Sequence, residues 1–387
     1  MQDEQDQEQE LIVAHRFILN ILSILLNFLV FFVAQMPDLI QQLSDTIRAA
    51  AEDRRQLRIR GGGSKDFYGN PAAGEDFDVT AYRGIVDYEP TELVITARAG
   101  TPLAEIENTM HEQGQMLGFE PPHFGDGGTL GGCIAAGLSG PRRAAAGAAR
   151  DFVLGLRLLD GRGTDLSFGG RVMKNVAGYD LSRLLTGSLG TLGVILEVSL
   201  KALPLPQAET TLCCELPRAD AIELMNGWAG QPLPVTATCH VEKRLYVRLS
   251  GAASAVQAAA KKIGGEDVPN AAEFWRGVRD HRDLFFSGNG PVWRLSLAST
   301  ATEPGLPGHQ MVEWGGALRW LKTDADADSV RKAARRAGGH ATLFRRGTHD
   351  TGAFHPLPGP LMQLHRRVKQ AMDPAGILNP GRLYPDF

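Results

Sequence analysis

Three glycine-rich stretches spread over about 130 residues constrain this chain more than any other feature. The first is Arg60-Gly61-Gly62-Gly63-Ser64-Lys65, directly after the apolar-basic run Leu57–Ile59. The second is Gly125-Asp126-Gly127-Gly128-Thr129-Leu130-Gly131-Gly132. The third is Thr186-Gly187-Ser188-Leu189-Gly190-Thr191-Leu192-Gly193, which opens a strand-like run through Val194 and Ile195. A triple glycine is a poor choice for a plain turn, because glycine loses the most freedom on folding. Without a Cβ in the way, successive N–H groups can converge on an anion. Three such stretches point to one long anionic ligand lying across a domain, and a dinucleotide meets that demand. Two common phosphate cradles are excluded. No Walker-A frame is present, and G-x-G-x-x-G occurs nowhere, which disfavours a Rossmann nicotinamide site.

At 387 residues, two domains are expected, each large enough for its own core. The net charge of -4 gives no electrostatic footprint for nucleic acid. Cys133, Cys213, Cys214 and Cys239 form no C-x-x-C, which argues against zinc or iron–sulfur ligation and for reduced thiols. Residues 1–35 stand apart. An acidic leader precedes the 18 nearly apolar residues Phe17–Ala34, which just reach the length of a bilayer span. Two readings stay open: an N-terminal anchor, or a start site placed too far upstream of Met36. With an anchor, Arg48, Arg54, Arg55 and Arg58 would hold the main body on the cytoplasmic side. The expected location is the cytoplasm, peripheral to or anchored at the inner membrane.

Periodicity predicts a helix over Met36–Glu52 with Leu39, Ile40, Leu43 and Ile47 on one stripe, then a short strand at Leu57–Arg60. Strands follow at Arg83–Tyr88 and Glu92–Ala97. A helix then has Thr101 as its cap and Leu103, Ile106 and Met110 on one face. Phe119–Gly132, rich in proline and glycine, reads as loop. Phe152–Leu159 and Thr164–Phe168 read as a hairpin, and Val194–Lys201 as a half-buried strand with one wet face. Leu203-Pro204-Leu205-Pro206 marks the domain boundary. Beyond it, strands (Thr210–Glu215, Leu245–Leu249, Val292–Leu297) and helices (Ala219–Trp228, Ala252–Ile263, Ser329–Ala337, Pro360–Met372) suggest an α+β unit with an antiparallel sheet.

These residues carry a resemblance. Arg60–Lys65, Pro90–Leu93 with Gly100–Leu103, Gly128–Gly132 and Gly190–Gly193 resemble the FAD-binding domain of the vanillyl-alcohol oxidase or PCMH type. Glu120–His123, Gly140–Arg143, Val172–Asp180, Trp314–Lys322 and Ala337–Thr342 narrow it to a likeness to the FAD-binding subunits of bacterial glycolate oxidases. The resemblance runs from about Met36 to Tyr384. It implies an α+β fold, with a PCMH-type two-subdomain FAD-binding domain over 36–206. A smaller α+β cap-like domain follows over 207–387, and its tail, Asp373–Arg382, returns to the FAD domain.

By the same resemblance, Arg60, Gly61, Gly62, Gly63, Ser64 and Lys65 would hold the FAD pyrophosphate. Gly127, Gly128, Thr129, Leu130, Gly131 and Gly132 would line the ring and ribityl chain. Gly190, Gly193, Val194 and Ile195 would lie near the adenine, although Ile195 equally suits a core position. The first stretch lacks the histidine that relatives bond to flavin, so the FAD is expected to be non-covalent. His123 is a candidate for the flavin side or for an exposed loop, and Asp180 for an anion-binding helix start or a plain cap. Cys133 reads as a buried small residue, and the Pro374–Gly381 path as packing.

The implied function is support of glycolate oxidation to glyoxylate, with electrons passing through flavin to an iron–sulfur partner subunit. His240, His281, His309, His340, His349, His355 and His365 are scattered without an H-x-H pair. No metal and no catalytic residue is therefore assigned, and a second flavin subunit is expected to bind the glycolate. Two alternatives are a free-standing FAD-dependent oxidoreductase acting on another hydroxy acid or alcohol, and a non-catalytic flavin-binding scaffold.

Overall fold

The computed structural model of the chain describes residues 38–170, 180–347 and 349–387. The acidic leader, the apolar stretch and the Val172–Tyr179 string lie outside the described residues. Among those described, no helix is long and apolar enough to cross a membrane.

The first half is built on a five-stranded antiparallel sheet, ordered Ile85–Glu89, Val94–Arg98, Val194–Lys201, Val153–Leu159, Asp165–Gly169. Val194–Lys201 takes the centre, and this corrects the expectation of one wet face. Val194 and Leu196 pack in a core with Leu43 and Ile47 of the 38–53 helix. Ile195, Val198 and Leu200 pack in a second core with the helices Leu103–Glu112 and Leu130–Ala136. Strict alternation fails because a central strand is covered on both faces, and its neighbour's register shifts at Arg157/Leu158.

Two local expectations are also corrected. Thr101 does not cap the Leu103–Glu112 helix. Its Oγ1 accepts from Gly84 N at 2.8 Å, and Pro102 occupies the cap position with no side-chain bond. Phe119–Gly132 is not loop throughout, since a helix starts at Leu130, capped by Thr129 Oγ1 accepting from Gly132 N. Leu130 and Ile134 supply enough apolar burial to set it going despite the two glycines.

The second half is an eight-stranded antiparallel sheet. Its order is Glu266–Asp267, Ala208–Glu215, Arg244–Gly251, Val235–Val241, His309–Glu313, Leu318–Lys322, Val292–Ser296, His340–Arg345. Helices Arg218–Ala229 and Ala253–Ile263 pack in one core and Ala327–Arg336 in another. Trp275, Trp314, Trp320 and Phe344 form a further core with Tyr68, Ala136, Leu138 and Leu189 of the first half. That core is the domain seam. Glu120 reinforces it, bonding Arg142 of its own half and, at 2.8 Å, Arg248 of the other. Burial alone would raise the Glu120 carboxyl, but Arg248 and Arg142 outweigh it and hold it below its ordinary value.

The C-terminal segment then runs back under the first glycine stretch. Leu57 N donates to Ile377 O at 2.8 Å and Asn379 N to Leu57 O at 2.9 Å. Asn379 Oδ1 accepts from Ile59 N and its Nδ2 donates to Leu189 O, both at 2.7 Å. One side chain thus ties the Leu57–Arg60 strand to the third glycine stretch. Asn379→Ala would strand two backbone groups and should cost on the order of 2–5 kcal/mol, read as a shifted denaturant midpoint at unchanged slope.

Candidate functional site

The Leu57–Arg60 strand, paired in parallel with Glu75–Asp78, delivers the first glycine stretch to the rim of a cavity of about 280 Å³. Arg60, Gly61, Gly62, Gly63, Ser64 and Lys65 all line it, as do Thr129, Gly131, Gly132, Gly190, Gly193 and Ile195. The three stretches therefore meet at one place. Among the described residues, the amides of Gly62, Gly63, Ser64 and Lys65 donate to no other group. Four successive free N–H groups beside a cavity suit an anion.

The other expected residues fall elsewhere. Leu130 and Val194 put their side chains into the two cores. Gly127 and Gly128 line a separate crevice on the other side of the turn. The cause is a close loop-to-loop approach: a Cβ on Gly62 would stand 1.5 Å from the Gly127 carbonyl oxygen. Gly127 thus serves as a backstop for the first turn. Gly131 N and Gly132 N are already committed, to Ala99 O and Thr129 Oγ1, so the second stretch offers surface rather than amides. Gly190 sits at φ 73, where a Cβ would meet Asn379 Nδ2 at 2.7 Å.

Charge gathers at the same cavity through Arg58, Arg60, Lys65 and Arg382. Arg382 was missed by sequence reasoning. Its Nη2 donates to Asp66 O at 3.0 Å and its Nη1 to Asn70 O at 2.7 Å, so it braces the turn while lining the cavity. Asn379 was missed too, because proline-bounded tails read as packing; the tail packs and also walls the site. Lys65 is 9% exposed, and burial lowers its ammonium from the ordinary value. Its Nζ donates to Ser64 Oγ at 3.3 Å and His123 O at 3.5 Å, sits 5.7 Å from the Phe124 ring centroid, and forms no ion pair among the described residues. Ala99, Ala135, Ala136, Leu189 and Ile195 give an apolar wall for a flat ring. Free amides, cations and an apolar wall fit a flavin dinucleotide.

The remaining candidates resolve locally. The His123 ring lies 2.9 Å from Glu107 Oε2, neither on the cavity wall nor exposed. Asp180 caps the Leu181–Leu185 helix, accepting from Arg183 N. Cys133 is 1% exposed, and burial pushes its thiol up to about 12.

The fold and this cavity are those of an FAD-linked oxidoreductase. Residues 33–169 match the family "FAD binding domain", and residues 358–383 match "FAD linked oxidases, C-terminal domain". Over 350 residues the chain is 49% identical to glycolate oxidase subunit GlcE of Escherichia coli (strain K12), covering 90% of this chain and 99% of that protein. Glycolate oxidase subunit GlcD of Bacillus subtilis (strain 168) is 29% identical over 48% of this chain and 41% of its own. A mitochondrial cytochrome-linked D-lactate dehydrogenase of Arabidopsis thaliana is 24% identical over 84% of this chain and 68% of its own. Among solved structures, alkyldihydroxyacetonephosphate synthase superposes with a TM-score of 0.62 at 16% identity, over 88% of this chain and 74% of its own, a likeness of fold. The chain belongs to the GlcE family of glycolate oxidase subunits, within the FAD-linked oxidases.

Gly62→Ala should push the first turn off Gly127 and weaken FAD binding by at least about ten-fold, roughly 1.4 kcal/mol, with the circular dichroism spectrum retained. Titration of flavin fluorescence measures it.

Glu313, 3% exposed, gives a second expected outcome. Burial pushes its carboxyl up to about 7, against the opposing bond from Trp320 Nε1 at 2.7 Å. The folded state then binds more protons than the unfolded one between the ordinary carboxyl value and about 7, so stability falls as pH rises through that window. Denaturation of the Glu313→Gln variant should show a flatter dependence there.

Proposed function

We propose that this chain is the flavin-carrying subunit of a glycolate-oxidising complex. It supports conversion of glycolate to glyoxylate by passing electrons through FAD to partner subunits. The end-to-end 49% identity to a glycolate oxidase subunit carries this reading. The free amide run beside the cavity supplies its physical counterpart. When bound, FAD provides the electron-accepting ring. This chain's residues bind and orient it: amides 62–65 and Lys65 take the phosphates, Thr129 and Asn379 fix the turn positions, and the Ala135–Ala136 side covers the ring.

The FAD is held without a covalent bond. Serine stands at position 64, the His123 ring is engaged by Glu107, and the Cys133 thiol is buried in the core. The partners are a second flavin subunit, which takes glycolate, and an iron–sulfur subunit, since the four cysteines here are dispersed. The location is the cytoplasm at the face of the inner membrane. The apolar Phe17–Ala34 stretch and the nearby arginines support it.

Two measurements follow. The purified chain should be yellow, and acid precipitation should leave the colour in the supernatant; colour in the pellet would refute non-covalent binding. In the reconstituted complex, Gly62→Asp with Gly131→Asp should abolish flavin on this chain and reduce glycolate-to-acceptor turnover by at least about ten-fold. Full turnover without that flavin would contradict the electron-carrying role.

A further inference from the structure

The backbone that leaves the first glycine stretch runs from Phe67 to Asn70 against the second half of the chain, and Pro71 and Ala72 then line the flavin cavity. The Tyr68 ring is buried, its centroid 5.1 Å from that of Phe344 and 5.7 Å from that of Phe354. Gly69 sits at φ 90, where a Cβ would stand 2.9 Å from Leu189 Cδ1 and 3.2 Å from Arg382 O.

Asn70 ends this segment and is buried. Its side chain offers two N–H donors and an oxygen with two lone pairs, and all are used. Oδ1 accepts from Arg346 Nη2 at 2.9 Å and from Ala353 N at 2.8 Å. Nδ2 donates to Gly381 O at 3.0 Å and to Leu383 O at 3.1 Å. The backbone is engaged as well: Asn70 N donates to Arg382 O at 3.0 Å, and Asn70 O accepts from Arg382 Nη1 at 2.7 Å. The oxygen meets only donors and the nitrogen only carbonyls, so the surroundings fix which way the amide points. Aspartate has the same size but no donor for the two carbonyls.

None of the four side-chain partners lines the flavin cavity. Gly381 and Leu383 belong to the C-terminal tail. Arg346 directly follows the edge strand His340–Arg345, and Ala353 is tied to that strand through its O, which accepts from Leu343 N at 2.7 Å. The link from Asn70 to the phosphate turn is Arg382. The guanidinium held at Asn70 O also donates through Nη2 to Lys65 O at 3.3 Å and to Asp66 O at 3.0 Å. A polar network in which every member is satisfied specifies one arrangement.

We propose that Asn70 is a positioning residue for FAD. It makes the shape of the 62–65 turn depend on the docking of the second half, and Arg346 acts on the turn through it. The second half thereby governs how tightly the cofactor is held from outside the cofactor cavity. The role rests on the flavin reading of that cavity and adds to it a residue behind the cavity wall.

Quenching of FAD fluorescence by the full-length chain measures the affinity, and urea titration of the same variants measures stability. Asn70→Ala should lose at least about ten-fold in FAD affinity, and Arg346→Met, which leaves Asn70 and the cavity wall in place, at least about three-fold. The double variant should bind within about two-fold of Asn70→Ala alone, because the Arg346 contribution passes through Asn70. Asn70→Asp keeps the acceptor for Arg346 but sets a carboxylate against Gly381 O and Leu383 O, and it should also lose at least about ten-fold. An Asn70 that only held the fold together would lower the urea midpoint and leave the affinity without urea unchanged. Unchanged affinity in Arg346→Met or in either Asn70 variant, or losses that multiply in the double variant, would overturn the role. If Asn70→Ala fails to fold, Arg346→Met decides by the same two readouts. A wild-type chain that takes up no FAD would instead overturn the flavin reading itself.

Discussion

The structure turns on four consecutive backbone amides, Gly62 to Lys65, that lie beside a cavity and donate to no other group among the described residues. A turn of that kind does not hold its shape alone. It is pinned from behind by the Gly127 carbonyl, from below by Asn379 and from the side by Arg382. The pins come from two distant regions of the chain, the second glycine stretch and the C-terminal tail. The tail and the second loop therefore both shape the turn that would receive an anion. A ligand that satisfies the amides stabilises the whole domain by mass action.

The domain seam extends this logic. Aromatic rings from the second half pack on Ala136, Leu138 and Leu189, of which Ala136 and Leu189 line the flavin cavity. The Glu120 network with Arg142 and Arg248 fixes the two halves through charge-assisted bonds. The second half therefore sets the environment on one side of the cofactor site, and the His281 ring stacks on Phe286 in that same seam.

Much of this was legible in the sequence. The glycine stretches announced a shared ligand, and twelve of the sixteen expected cofactor residues line one cavity. The Leu103, Ile106 and Met110 stripe is fully buried. What escaped depended on tertiary partners. Nothing local shows that Gly62 is glycine because Gly127 abuts it, or that Gly131 and Gly132 have committed amides. Val194–Lys201 looked half-wet because Glu197 and Lys201 carry charge, yet Glu197 pairs with Arg157 and Tyr82 inside a covered sheet.

Amide hydrogen exchange with and without FAD tests the central claim most directly. Protection is predicted to rise by at least about ten-fold at Gly62, Gly63, Ser64 and Lys65, with a smaller rise at Asn379 and Arg382 and little change at Gly131 and Gly132. FAD binding with exchange at 62–65 unchanged would contradict the account.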